Sequence, residues 1–152
     1  MTRPVKIVSG GQTGVDQAAL RAAKELGIPF GGWCPRGGLD ENGRSVLDDY
    51  PLMPTESDNP DVRTVLNIRD SDGTLVLVPA LPLPDKIKDG TLLTIRSAAE
   101  QGRPHLVIDI SAPPAFDDII HWMESGNIAV LNVAGPRESN ALGIHDLPYR
   151  YM

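Results

Sequence analysis

Residues 5–26 read VKIVSGGQTGVDQAALRAAKEL. Val5 to Val8 is a short apolar run, and residues 9–14, SGGQTG, put three glycines and the small polar Ser9 and Thr13 directly behind it. From Val15 onward the apolar positions Val15, Ala18, Ala19, Ala22, Ala23 and Leu26 recur at helical spacing until Gly27 stops them. The stretch therefore reads as a buried strand over 5–9, a glycine-rich turn, and a helix over 14–26. Glycines at 10, 11 and 14 let main-chain N–H groups come close to an anion, and the helix start adds unpaired donors and the positive end of its dipole. One exposed helix terminus contributes only about 0.3–1 kcal/mol, so a useful phosphate site needs a second terminus and an arginine as well.

The same alternation continues down the chain. Ile28 to Trp33 reads as a second, glycine-rich strand, and 34–57, punctuated by six Pro and Gly residues, as a long loop without regular structure. Asp58-Asn59-Pro60 opens a helix through Val62, Val65, Leu66 and Ile68 to about Asp70. A strand over 74–78, a proline-rich loop over 79–88, a helix opened by Gly90-Thr91 and ending near Gly102, and a strand over 106–108 follow. A helix over 115–124, a strand over 127–133, and a short terminal helix in AGPRESNALG complete the series. Apolar strands alternating with helices predict an α/β fold: Rossmann-like, doubly wound, with a mainly parallel sheet and helices on both faces. At 152 residues and 41% hydrophobic composition, 1–152 is expected to form a single domain.

Composition narrows the function. Fourteen basic against twenty acidic residues give a formal charge of −6, and no Lys/Arg cluster exceeds a pair, which argues against a nucleic-acid partner. No run of eighteen apolar residues and no leader-like segment is present, so the expectation is a cytoplasmic protein with no membrane partner. The single cysteine, Cys34, excludes an internal disulfide framework, and with three scattered histidines it makes no metal-ligand spacing. The expected partner is a small ligand, with no metal and no catalytic group assigned.

In an open parallel sheet ligands bind outside the carboxyl ends of the strands. The loops on that edge supply the candidate phosphate-binding residues Gly10, Gly11, Gln12, Thr13 and Gly14, then Arg36, then Gly90 and Thr91, and finally Arg137; Arg63 is expected to fall on the same edge. SGGQTG matches neither G-x-G-x-x-G nor the P-loop pattern, and the case rests on several such loops coinciding. Thr13 and Asp16 have plainer readings as an N-cap and a first-turn acid, beside the reading of Asp16 as a contact to a ribose hydroxyl or a metal. Asp70 and Asp72 lie at the opposite edge, where turn chemistry accounts for them. Cys34 reads as a buried apolar filler, Trp33 as core or as a stacking surface for a planar base, and Ser139 as an N-cap.

The runs SGGQTGVDQAALRAAKELGIPFGGWCPRG, NIRDSDGTLVL, DGTLLTIRSA and VLNVAGPRES together resemble the bacterial molybdenum carrier family. That family is a circularly permuted branch of the superfamily that holds lysine-decarboxylase-like phosphoribohydrolases and molybdenum-cofactor carriers. The likeness extends over nearly the whole chain. It implies a Rossmann-like domain, a homo-oligomer, and a phosphate-bearing pterin or nucleotide ligand, with the molybdenum cofactor (molybdopterin) as cargo. The hydrolases carry P-G-G-x-G-T-x-x-E. In the corresponding Lys88-Asp89-Gly90-Thr91-Leu92-Leu93-Thr94, Gly90 and Thr91 match the phosphate-holding part and Thr94 stands where the glutamate would be. A threonine cannot supply a carboxylate base or a charge to an oxocarbenium-like centre, so the resemblance implies a binding protein more than an enzyme. The alternatives are a nucleoside 5′-monophosphate phosphoribohydrolase using an acid from another loop, Asp85, Asp89 or Glu138, and a nucleotide-sensing protein.

Overall fold

The computed structural model describes residues 4–84, 88–112 and 114–138. Its centre is a five-stranded sheet in the order β2-β1-β7-β5-β6, every neighbouring pair parallel. The strands are β1 (Lys6–Val8), β2 (Phe30–Gly31), β5 (Gly73–Val78), β6 (His105–Asp109) and β7 (Val130–Ala134); β3 (Trp33–Cys34) and β4 (Met53–Pro54) pair in a separate ribbon. The helices are α1 (Val15–Leu26), α2 (Pro60–Arg69), α3 (Lys88–Glu100) and α4 (Phe116–Ser125).

Parallel strands need right-handed crossovers, and the direction of travel fixes the side of each helix. From β1 to β2 and from β6 back to β7 the chain moves one way across the sheet, and on the way into β5 and from β5 to β6 it moves the other. Thus α1 and α4 cover one face while α2 and α3, packed on each other, cover the opposite one. Side chains alternate along a strand, so Leu75 and Leu77 of β5 join Ile7, Leu131 and Val133 in the core with Val15, Ala19 and Ala23 of α1 and Ile119 and Met123 of α4. The doubly wound α/β architecture expected from the sequence is the one observed.

Local details differ from the sequence reading. The expected strand over 28–33 splits in two. Gly32, at φ +128°, turns the chain where a Cβ would lie 2.4 Å from the Ser9 carbonyl oxygen. The 34–57 segment is not devoid of structure: it holds part of β3, a 3-10 turn at Val46–Asp48 and β4, around a satellite cluster of Leu20, Cys34, Val46 and Leu52. Its order comes from non-local pairing, which periodicity does not register. Gly90 and Thr91 lie within α3 instead of opening it. Strand β7 begins only at Val130, where the Asp72 carboxylate accepts from the Ala129 and Val130 N–H groups at 3.0 and 2.8 Å. The N-cap at Asn59 forms as read, its side chain accepting from Asp61 N at 3.0 Å. The terminal helix expected in AGPRESNALG falls largely outside the described residues, as does Ser139.

Because Leu75 is 1% exposed in the main core and Val65 of α2 is 41% exposed, truncating each to alanine should separate sharply in urea unfolding. Leu75→Ala is expected to cost about 2–5 kcal/mol, and Val65→Ala to stay within about 0.5 kcal/mol.

Candidate functional site

A cleft of about 570 Å³ opens at the carboxyl edge of the sheet, on the side of α2 and α3. In sequence order its walls are the segment after β1 (Gly10, Gln12), the first turn of α1 (Asp16), α2 from Pro60 to Asn67, α3 from Gly90 to Arg96 and β7 with its exit (Asn132 to Arg137). This is the topological switch point: the chain leaves β1 toward one edge of the sheet and β5 toward the other, and β7 lies between them. Asn132, 3% exposed on β7, lines the cleft and donates to the Thr74 hydroxyl at 3.3 Å.

The glycine-rich turn is tied into the protein on all sides. Gly14, at φ +80°, lies against the β7 exit so closely that a Cβ would meet the Pro136 oxygen at 2.4 Å, and Val15 N donates to that same oxygen at 3.3 Å. Gln17 N donates to the Gln12 carbonyl at 3.0 Å, Gln12 N to Asp16 Oδ2 at 3.3 Å, and Thr13 N to Gln12 Oε1 at 3.0 Å. Several donors at the α1 N-terminus are therefore already engaged. Thr13 is not the N-cap, a place taken by Gly14 without a side-chain bond. Its hydroxyl donates to the Glu41 carboxylate and accepts from Glu138 N at 3.1 Å. The 38–46 segment straps the turn: Glu41 N donates to Gln12 Oε1 at 2.8 Å, and Gln17 Nε2 donates to the Gly11 carbonyl at 3.0 Å and to Asp40 Oδ2 at 2.9 Å.

The cations come from the other walls. Arg63 of α2 crosses Gly10, where a Cβ would stand 2.8 Å from its Cδ, and donates through Nη1 to the Gly10 carbonyl at 2.9 Å. Arg96 of α3 and Arg137 after β7 line the same cleft and make no hydrogen bond to another described residue. Thr91 is 5% exposed and its hydroxyl has no partner among the described residues. Since no fully enclosed side-chain polar atom there lacks a partner, that hydroxyl is open to the cleft. Thr94 turns its hydroxyl back onto the Gly90 carbonyl at 3.1 Å.

Asp16 stands out electrostatically. Only 6% of it is exposed. Loss of solvent raises its pKa from 3.8 to about 6, against the opposing pull of the Arg63 charge and the Gln12 N–H. Oδ2 accepts from Gln12 N; Oδ1 has no partner among the described residues and is therefore open to the cleft by the reasoning applied to Thr91.

Of the residues picked out in the sequence, Gly10, Gln12, Gly90, Thr91 and Arg137 line this cleft, with Asp16 and Arg63. Gly11, Thr13 and Gly14 sit behind its lining as parts of the strapped turn. Arg36 is exposed, donates its N–H to Ser57 O at 3.1 Å, and does not line the cleft. Trp33 points its indole N–H at Asp70 Oδ2, 2.8 Å away. Asp85 lies outside the described residues, and of Asp89 only its place in α3 is described. Sequence reasoning passed over Arg96, Asp61 and Asn132. Arg96 had a signal: helix side chains lean toward the N-terminus, so a long side chain two turns inside α3 reaches back to the ligand edge. Among the described residues no three His, Cys, Asp or Glu side chains are grouped to hold a metal ion, and no helix is long and apolar enough to cross a membrane.

Residues 7–152 match the model of the circularly permutated YpsA SLOG family. Among solved structures the chain is similar to "Putative molybdenum carrier protein" from Syntrophus aciditrophicus SB, at 38% identity over 97% of this chain and 92% of that one, with a TM-score of 0.88. No curated protein matches the chain.

The buried carboxyl has a signed consequence for stability. Its folded pKa lies above the unfolded value, so the native state holds a proton that the unfolded chain releases first. Relative to an isosteric amide, stability is retained below pH 3.8 and lost as the pH rises to about 6. Asp16→Asn should therefore match the wild type near pH 3.5 and exceed it above pH 6.5, by up to about 3 kcal/mol at about 1.36 kcal/mol per unit. Urea unfolding of both proteins across that range measures the gap.

Proposed function

The chain belongs to the circularly permutated YpsA SLOG family, and from that membership and the chemistry of the cleft we propose that it binds a phosphate-bearing pterin or nucleotide, as a carrier of the molybdenum cofactor. The observation that supports this reading is the meeting of Arg63, Arg96 and Arg137 from three different elements in one cleft at the switch point. A chain of net charge −6 has spent three of its guanidiniums there, and guanidinium forks suit phosphate oxygens. In this reading the arginines and the open Thr91 hydroxyl hold the phosphate, with Gly90 beside them. Gly10 to Gly14 form the turn that supports the opposite wall. The cargo comes from the 38%-identical protein described as a molybdenum carrier, and a pterin with its phosphate suits the volume of the cleft. Assembly as a homo-oligomer in the cytoplasm belongs to the same proposal.

Thermal unfolding with inorganic phosphate, AMP, GMP, NAD and an oxidised molybdopterin derivative tests it. A ligand at about a hundred times its Kd adds roughly 2.7 kcal/mol and should raise the midpoint on the order of 5 to 11 °C. Arg96→Ala and Arg137→Ala should each weaken the active ligand by about ten- to a hundredfold. Unchanged affinity in both variants, or no shift with any phosphate-bearing ligand, would sink the proposal.

A second reading, cleavage of the ribosyl bond of a nucleoside 5′-monophosphate, draws on one observation: Asp16, with its pKa of about 6, is a cleft carboxyl suited to acid–base work. Free base released from AMP, and lost in Asp16→Asn, would establish it. A flat time course at high protein concentration would argue it away.

A further inference from the structure

The three arginines of the cleft come from its α2, α3 and β7 sides, and Asp16 comes from α1. On the α1 side Asp16 keeps one oxygen open, while the Gln12 side-chain oxygen is filled by two N–H groups, from Thr13 and Glu41, and its amide nitrogen has no partner among the described residues. The nearby main-chain donors of Gln12 and Thr13 are engaged, and the Glu41 carboxylate sits on Thr13 from behind. On the α2, α3 and β7 sides the donors are Arg63, Arg96, Arg137 and the Thr91 hydroxyl, with Asp61 in the first turn of α2 the one carboxylate among them. The open oxygen of the largely buried Asp16 carboxyl faces the cleft with no protein donor among the described residues, and a ligand N–H or O–H can fill it. A second phosphate beside Asp16 would set like charges together in a poorly solvated place.

We propose that Asp16 reads the uncharged half of the ligand, its open oxygen accepting an N–H or O–H from the sugar or ring, so that the cleft selects phosphomonoesters that present such a donor. This rests on the phosphate-ligand reading above. The cleft then discriminates against bare phosphate, against alkyl phosphates, and against a pyrophosphate chain laid along the glycine-rich turn. Asp16 is a specificity residue here, and the ligand has a fixed polarity: phosphate toward α3 and the β7 exit, donors toward α1.

Calorimetric titration of the full chain with inorganic phosphate, methyl phosphate, ribose 5-phosphate, GMP and GDP tests it. For the wild type, ribose 5-phosphate or GMP should bind at least about tenfold tighter than methyl phosphate, and GDP more weakly than GMP. A preference already present in ribose 5-phosphate assigns the donor to sugar hydroxyls, and one confined to GMP assigns it to the ring. In Asp16→Asn the oxygen that serves Gln12 N is kept and the open one becomes an NH₂ group. Affinity for the donor-bearing ester should fall about tenfold or more, while inorganic phosphate holds or tightens. Arg96→Ala should weaken every phosphate probe. Equal binding of methyl phosphate and the donor-bearing esters, or an equal loss for phosphate and ester in Asp16→Asn, overturns the inference and leaves the phosphate site standing. Failure of every probe to bind the wild type removes both. The methyl phosphate comparison uses the wild type alone, so the test survives any folding defect in the variant.

Discussion

The first strand of the chain and the last described strand lie side by side at the centre of the sheet, with Lys6, Ile7 and Val8 opposite Val130, Leu131 and Asn132. Everything at the carboxyl edge hangs on that pair. The turn after β1 and the exit from β7 are held together by Val15 N on the Pro136 carbonyl and by Glu138 N on the Thr13 hydroxyl, contacts that exist only when the register is right. A slip of one residue would exchange the faces of Leu131 and Asn132, putting an amide into the apolar core and a leucine into the cleft. More than 120 residues separate the paired strands, so the floor of the cleft is a non-local product of the entire fold.

The cleft combines charges that a sequence-wide balance conceals. Net charge spoke only against an anionic polymer as partner; it did not foresee three arginines and a buried carboxyl facing one space. Their placement follows from doubly wound topology. Helices on one face begin at the same edge, so residues from the first turns of α2 and α3 converge though they are about thirty positions apart. Local sequence supplies the residues and topology supplies the meeting.

That division also explains what could be read in advance. The βα alternation, the Asn59 cap and the apolar face of α1 are local, and they were legible. The glycines of SGGQTG read as places where main-chain N–H groups approach an anion; the protein groups that come close at two of them are the Arg63 side chain at Gly10 and the β7 exit at Gly14. A glycine declares that something comes near and does not say what. The strap over 38–46 was opaque because its order comes from Gln12, Thr13 and Gln17, none of which marks itself as a docking point. Arg36 reads as a ligand-edge residue from its loop alone; in the structure it is exposed, its N–H donates to the Ser57 carbonyl, and it does not line the cleft.

Cys34 is fully enclosed in the small cluster beneath the strap, apart from the main core, and burial pushes its thiol pKa upward. Such a thiol is chemically silent while its surroundings stay closed. Its modification by a soluble reagent would be governed by how often that cluster opens, and proteins open in units, with free energies well below that of global unfolding. The lone cysteine is thus a built-in clock for the strap. The strap that closes over it also carries Asp40 and Glu41, the partners of Gln17, Thr13 and Gln12, so an opening of that strap would release the α1 wall of the cleft as well.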